Sequence, residues 1–284
     1  MRRGAAVVLF AGSVTVAYAV GACARGGATS SVATPPLPAG AATVRERLVA
    51  SPRHGEWAMI RTGADDSVRV WVVYPERATK APVVLIVHEN VGLSTWVRGV
   101  ADQIAAAGYI AIAPDLLTGK VVLTGDTLVS AVATAAIRTL RADDVHRQLE
   151  AIGKYGMSLP AALPRYGIVG FCWGGGTSFA HAVRSPSGLG AAVVYYGQSP
   201  DTADLARVNV PVLGLYAGDD QRINARVPAT DTIMRRLGKP YEINFFEGAG
   251  HGFLRAQDVR EANRLASERA WPLTVAFFRR HLGA

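Results

Sequence analysis

Hydrophobic and polar residues change their period along this chain, and the changes mark out its elements. Apolar and polar positions alternate over residues 57–61 and again over 68–74, with the turn-forming stretch 63–66 between them. That pattern predicts an antiparallel hairpin with one buried face. Residues 82–87, Pro-Val-Val-Leu-Ile-Val, are apolar without interruption, as in a strand covered on both sides. Beyond them, helical and strand patterns take turns. A helix is expected over 96–107, a strand over 109–113, helical stretches over about 127–155 and a strand over 166–170. A helix follows Trp173, then strands over 191–196, 210–216 and 241–246, and a closing helix over about 259–281. Strands spaced by helices of this length predict an α/β fold: a mostly parallel, doubly wound sheet with helices on both faces, preceded by the antiparallel hairpin. No internal repeat or second domain is visible.

The first residues read differently. Met1-Arg2-Arg3 gives a positive start, and an almost uncharged apolar run follows to Val20, so residues 1–23 read as an export signal. Val20-Gly21-Ala22-Cys23 resembles a bacterial lipoprotein processing site, with Cys23 as the lipidated residue. Ala17-Tyr18-Ala19 offers an ordinary cleavage site instead, and the paired arginines leave the twin-arginine route open. Residues 24–43 are small, Pro-bearing and nearly uncharged, hence a flexible tether, and the folded domain is expected over 44–284. The expected location is periplasmic or at a membrane surface, with membrane contact only through the lipid.

Composition narrows the classes further. A chain of 284 residues that is 50% hydrophobic and 18% charged can bury a sizeable core. The net charge of +8 is scattered along the chain and forms no basic run or stripe, which argues against a nucleic-acid partner. Only Cys23 and Cys172 are available for pairing. Either they bridge, or a lipidated Cys23 leaves Cys172 as a lone exported thiol that invites a chemical explanation.

Gly170-Phe171-Cys172-Trp173-Gly174 has the form Gly-x-nucleophile-x-Gly between a buried strand and a small-residue helix, the setting of a nucleophile elbow. Gly175 and Gly176 extend the small-residue face toward the sheet. A thiol needs a base and something to orient that base. Of six histidines, His251 in Glu247-Gly248-Ala249-Gly250-His251-Gly252-Phe253 stands on a Gly-rich loop after the last strand, downstream of nucleophile and acid. His54 precedes the first strand, His88 ends a strand, and His146, His181 and His281 fall in helical stretches suited to surface or packing roles. The acid is expected at Asp220, third in a Gly-x-Asp turn, with Asp219 capping the turn or facing solvent. At the end of the first buried strand, His88-Glu89-Asn90-Val91-Gly92-Leu93 occupies the place where half of an oxyanion hole is built. The backbone N–H groups of Asn90 and Trp173 are the candidate donors. Glu89 is either a loop anchor or a proton partner.

Taken together, His-Glu-Asn-x-Gly-Leu, Gly-Phe-Cys-Trp-Gly-Gly, Tyr195-Tyr196-Gly197, the Gly-x-Asp turn and Gly-His-Gly-Phe resemble the dienelactone hydrolase (carboxymethylenebutenolidase) family. The resemblance runs from about Glu56 to the C-terminus. It implies an α/β-hydrolase fold and cleavage of a small ester or lactone through a thioester, with Cys172 as nucleophile, His251 as base and then acid, and Asp220 as orienter. It also implies that Glu89 holds the resting thiol by a hydrogen bond until substrate binds. By the same resemblance Arg255, four residues after His251, would bind a substrate carboxylate, and Tyr196 would line the pocket. Residues 116–128 depart from the family, since Lys120 is their only cation and they contain no aromatic residue. No metal or organic cofactor is expected, because the elbow thiol lacks paired-ligand spacing. The expected partner is a small ester or lactone bound by a monomer or weak oligomer. Other readings are hydrolysis of another carboxylic ester, thioester or short peptide on the same triad, or a surface lipoprotein that binds a small acidic ligand without catalysis.

Overall fold

The computed structural model describes Met1, residues 36–121 and residues 130–283. The export signal, Cys23 and most of the tether lie outside the described residues, as does the expected helix start near Thr127.

Among the described residues, eight strands form one sheet in the order β1-β2-β4-β3-β5-β6-β7-β8. The strands are β1 (Gly55–Arg61), β2 (Ser67–Val73), β3 (Ala81–Val87), β4 (Ile110–Asp115), β5 (Ala162–Phe171), β6 (Leu189–Tyr195), β7 (Val212–Ala217) and β8 (Tyr241–Phe246). β1, β2 and β4 pair antiparallel, and every pairing from β4 through β3 to β8 is parallel. Helices alternate with them: α1 (Val44–Val49), α2 (Thr95–Ala106), α3 (Ser130–Ile137), α4 (Ala142–Ser158), α5 (Trp173–Arg184), α6 (Gln221–Asn224), α7 (Val227–Arg236) and α8 (Glu261–Leu282). The expected α/β architecture is therefore present, hairpin included.

Strand β3 shows why the uninterrupted apolar run suits its place. Val84 and Ile86 pack toward α2 and α8, while Val83, Leu85 and Val87 pack toward α4 and α5. Side chains alternate across a strand, so a position covered by helices on either face must be apolar throughout. Each fully buried aliphatic side chain here contributes roughly 1.5–3 kcal/mol of transfer free energy. At the sheet's edge β1 keeps the alternating pattern, with Trp57 and Met59 exposed and Ile60 buried.

One boundary differs from expectation. Residues 36–43 belong to the folded unit: Leu37 and Ala39 pack on the core, Ala41 N–H donates to the Arg255 carbonyl at 2.9 Å, and Gln257 Nε2 donates to the Pro38 carbonyl at 2.7 Å. Short, Pro-bearing composition suggested a tether, yet extended backbone can dock wherever a neighbouring loop supplies partners for its polar groups.

Candidate active site

The parallel strands end on one side of the sheet, and each candidate residue sits just past a strand end. Glu89 and Asn90 follow β3, Cys172 follows β5, Tyr196 follows β6, Asp219 and Asp220 follow β7, and His251 follows β8. This is the edge where α/β sheets place their ligands.

Cys172 stands between β5 and α5 with φ 56° and ψ −116°, a conformation that costs an L-residue energy and is held by its surroundings. The Cys172 N–H donates to the Tyr195 carbonyl at 3.1 Å, and the Gly176 N–H donates to the Cys172 carbonyl at 3.2 Å. The flanking glycines make the turn sterically feasible. A Cβ on Gly170 would lie 1.9 Å from the Gly174 carbonyl oxygen, and one on Gly174 would lie 2.4 Å from the Val87 and His88 carbonyl oxygens. Gly175 meets the Tyr195 carbonyl in the same way, at 2.5 Å, whereas Gly176 leaves 3.3 Å and is less constrained.

Among the described residues the sulfur is a free thiol. Burial pushes its pKa up and the charge of Glu89 adds to this, while hydrogen bonds from the backbone N–H groups of Trp173 and Asn90, and the charge of Arg222, pull it down. The two expected oxyanion donors thus converge on the Cys172 sulfur. His88 supports both. It is fully buried, its Nδ1–H donates to the Glu89 carbonyl at 2.7 Å, and its ring stacks on Trp173 with centroids 5.4 Å apart. Burial keeps this imidazole below its usual pKa, so it acts as a neutral brace. From the other side Thr134 Oγ1 donates to the Asn90 carbonyl at 3.1 Å. Nothing in the sequence beyond a histidine at a strand end pointed to this role.

His251 Nδ1–H donates to Asp220 Oδ2 at 2.5 Å. The other Asp220 oxygen, Oδ1, accepts from the Ile223 N–H at 3.4 Å and caps α6, so one carboxylate orients the imidazole and fixes the helix that follows. Asp219 faces outward and pairs with Arg260 at 3.1 Å, as expected for a turn residue. Cys172, Asn90, Trp173 and His251 line one cavity of about 570 Å³. Its remaining wall includes Leu140, Val145, His146, Gln198, Arg222 and Arg226, none of which the sequence marked.

Three expectations need correction. Glu89 is buried, with 4% of its side chain exposed, and its Oε2 lies 2.7 Å from Arg255 Nε. No hydrogen bond joins it to the thiol among the described residues, and it reaches Cys172 through its charge. Burial raises the Glu89 pKa to about 6 against the pull of Arg255. Arg255 lines a separate cleft with Trp57, Arg69 and Arg98, not the cavity of the thiol. The cause is local: Gly252 adopts φ 77°, the Arg255 N–H returns to the Gly252 carbonyl at 3.1 Å, and the chain turns away from the imidazole. Tyr196 is fully buried and does not line the cavity either. Its φ of 39° sends the ring behind His251, 5.1 Å between centroids, and against Phe253 at 5.3 Å. Its hydroxyl has no hydrogen-bond partner among the described residues, and burial holds its pKa well above the usual phenol range. Of the divergent stretch 116–128, residues 122–128 lie outside the described residues.

Comparison with known proteins agrees with the fold and gives the family. Residues 68–282 match the model of the dienelactone hydrolase family. A Saccharolobus solfataricus protein provisionally named a carboxymethylenebutenolidase is 26% identical over 246 residues, which cover 75% of this chain and 94% of that protein. A Homo sapiens protein named a carboxymethylenebutenolidase homolog is 30% identical over 201 residues, covering 66% of this chain and 79% of that one. A crystal structure of a provisionally assigned dienelactone hydrolase from Klebsiella pneumoniae superposes with a TM-score of 0.71 at 24% identity, covering 81% of this chain and 99% of that one.

Proposed function

Since the chain belongs to the dienelactone hydrolase family, we propose that it hydrolyses a small carboxylic ester or lactone with Cys172 as the nucleophile. His251 takes the thiol proton, and the thiolate sulfur adds to the carbonyl carbon. The carbonyl oxygen, now negative, is held by the N–H groups of Asn90 and Trp173. Collapse of this adduct breaks the bond to the alkoxide, which takes the proton from His251, and leaves a thioester on Cys172. Water then gives a proton to His251 and its oxygen to the acyl carbon, and the acid and the free thiol are released. Asp220 keeps the imidazole in the tautomer that presents its other nitrogen for these transfers.

The observation that carries this reading is the meeting of a glycine-locked Cys172 at φ 56°, two N–H donors on its sulfur and the Asp220-bound His251 on one cavity. A resting thiol whose pKa is raised by burial stays largely protonated, which slows its oxidation and leaves activation to the moment of catalysis. This fits the export that the N-terminal sequence suggests, with Cys23 as the lipid-bearing residue and the enzyme at the periplasmic or membrane surface.

The test uses 4-nitrophenyl esters and small lactones. Cys172→Ala should abolish turnover, and a slowly released acyl group should appear as a mass increment on Cys172 in the unsubstituted protein. Turnover undiminished in Cys172→Ala would defeat the reading.

A further inference from the structure

Two arginines line the thiol's cavity from the segment after Asp220, Arg222 within α6 and Arg226 capping α7, and their circumstances differ. Arg226 is paired with Asp201 at 3.6 Å. Arg222 also lines the cavity and acts on Cys172 through its charge, yet among the described residues no carboxylate is paired with it. Its backbone is fixed relative to the catalytic imidazole. Asp220 binds His251 with one oxygen and the Ile223 N–H with the other, and Asn224 Nδ2 donates to the Ala217 carbonyl at 2.7 Å. The four-residue helix that carries Arg222 is therefore tied to β7 at one end and to the triad at the other.

The cation that the resemblance singles out, Arg255, is already engaged. Arg255 opens on a different cleft and holds Glu89. His146, the second imidazole on the cavity wall, is kept neutral because burial lowers its pKa to about 4. The remaining lining is largely apolar, with Leu140, Val145, Ala180, Ile223 and the Trp173 ring. A cavity of about 570 Å³ with an apolar wall, one unneutralised guanidinium and a nucleophile suits a compact apolar acid ester.

We propose, on the reading of Cys172 as nucleophile, that Arg222 receives a carboxylate on the substrate, so that the preferred ester or lactone carries its negative charge on the α6 side of the cavity and not at Arg255. A guanidinium offers a planar, bidentate fork to a carboxylate, and Arg222 is exposed where it can take one. Specificity for the acidic substrate then resides in the helix that follows the triad aspartate.

Two readouts test this. The first is kcat/KM for mono-4-nitrophenyl glutarate relative to 4-nitrophenyl valerate. Arg222→Met should lower that ratio about 10- to 100-fold, mainly through KM, the worth of a charge-assisted hydrogen bond pair. Arg222→Lys should restore part of it, and Arg235→Met, which removes the same charge outside the cavity, should not move it. An unmoved ratio in Arg222→Met, an equal fall in Arg235→Met, or a fall confined to Arg255→Met would each overturn the proposal. The second readout needs no turnover: the rate of Cys172 alkylation by iodoacetate relative to iodoacetamide, followed by peptide mass. Arg222→Met should lower this ratio too. If it falls while no protein hydrolyses either ester, the anion site stands and the hydrolase reading fails; if it stays constant, the anion site fails.

Discussion

The cavity has an imidazole on each of two walls, and the two could hardly be treated more differently by the fold. His251 lies on a glycine-rich loop with a third of its side chain exposed and a carboxylate on Nδ1. His146 lies buried within α4, and its Nδ1 faces His181 Nδ1 at 3.4 Å. His181 in turn meets the Tyr166 hydroxyl through Nε2 at 3.0 Å. A buried phenol needs an acceptor for its proton, so Tyr166 donates to His181, and His181 donates to His146. Burial lowers the pKa of His146 to about 4, outweighing the pull of Asp143, and lowers that of His181 to about 3. The lesson is that nearness to a cavity does not make a histidine a base. The proposed base, His251, has a carboxylate on its ring and contact with solvent, and buried His146 has neither.

Exchanging one imidazole on each side should break this comparison cleanly, and the largest effect is expected at His251. His251→Ala should cut kcat/KM for an activated ester about 10²- to 10⁴-fold, the usual worth of a positioned general base, with little change in melting temperature. His181→Ala should do the reverse. It strands the Tyr166 hydroxyl and one nitrogen of His146, at a cost of about 1–3 kcal/mol in denaturant unfolding, while the folded fraction keeps most of its activity. Equal losses of activity in the two variants would erase the distinction.

Acid should separate the pairs next. In the unfolded chain a histidine titrates near 6.5, but His146 and His181 bind their protons more weakly when folded. Between pH 6.5 and about 4 the unfolded chain therefore carries more protons, and stability falls as pH is lowered through that window. Urea midpoints measured across it should decline in the unsubstituted protein and flatten when both residues are replaced by glutamine. The smallest effect concerns Glu89. Its charge helps to hold the thiol's pKa up, so Glu89→Gln should shift the pH midpoint of Cys172 alkylation downward. An upward shift would mean that Glu89 assists the thiolate.

How much of this could be read from the chain follows the range of the physics involved. The elbow was legible because its steric rules are local, and Gly170, Cys172 and Gly174 meet them within five residues. The choice of Asp220 over Asp219 was legible because position in a turn decides which carboxylate faces inward. Buried strands were legible from period alone. What escaped depends on contacts between distant segments. Glu89 and Arg255 are 166 positions apart, and only the fold shows that their charges meet. Tyr196 carries a family-like motif, yet a left-handed backbone turns its ring under the imidazole instead of into the cavity. Arg222 lies in a helix of four residues, too short to display any period.

The segment ahead of α1 carries a practical consequence. Ala41 N–H donates to the Arg255 carbonyl and the Pro38 carbonyl accepts from the Gln257 side chain, just downstream of His251. They act as a splint along the outside of the loop that presents the imidazole. A shortened chain beginning at Val44 would keep every strand of the sheet and lose that splint, so recombinant versions and fusions are best joined upstream of Pro36.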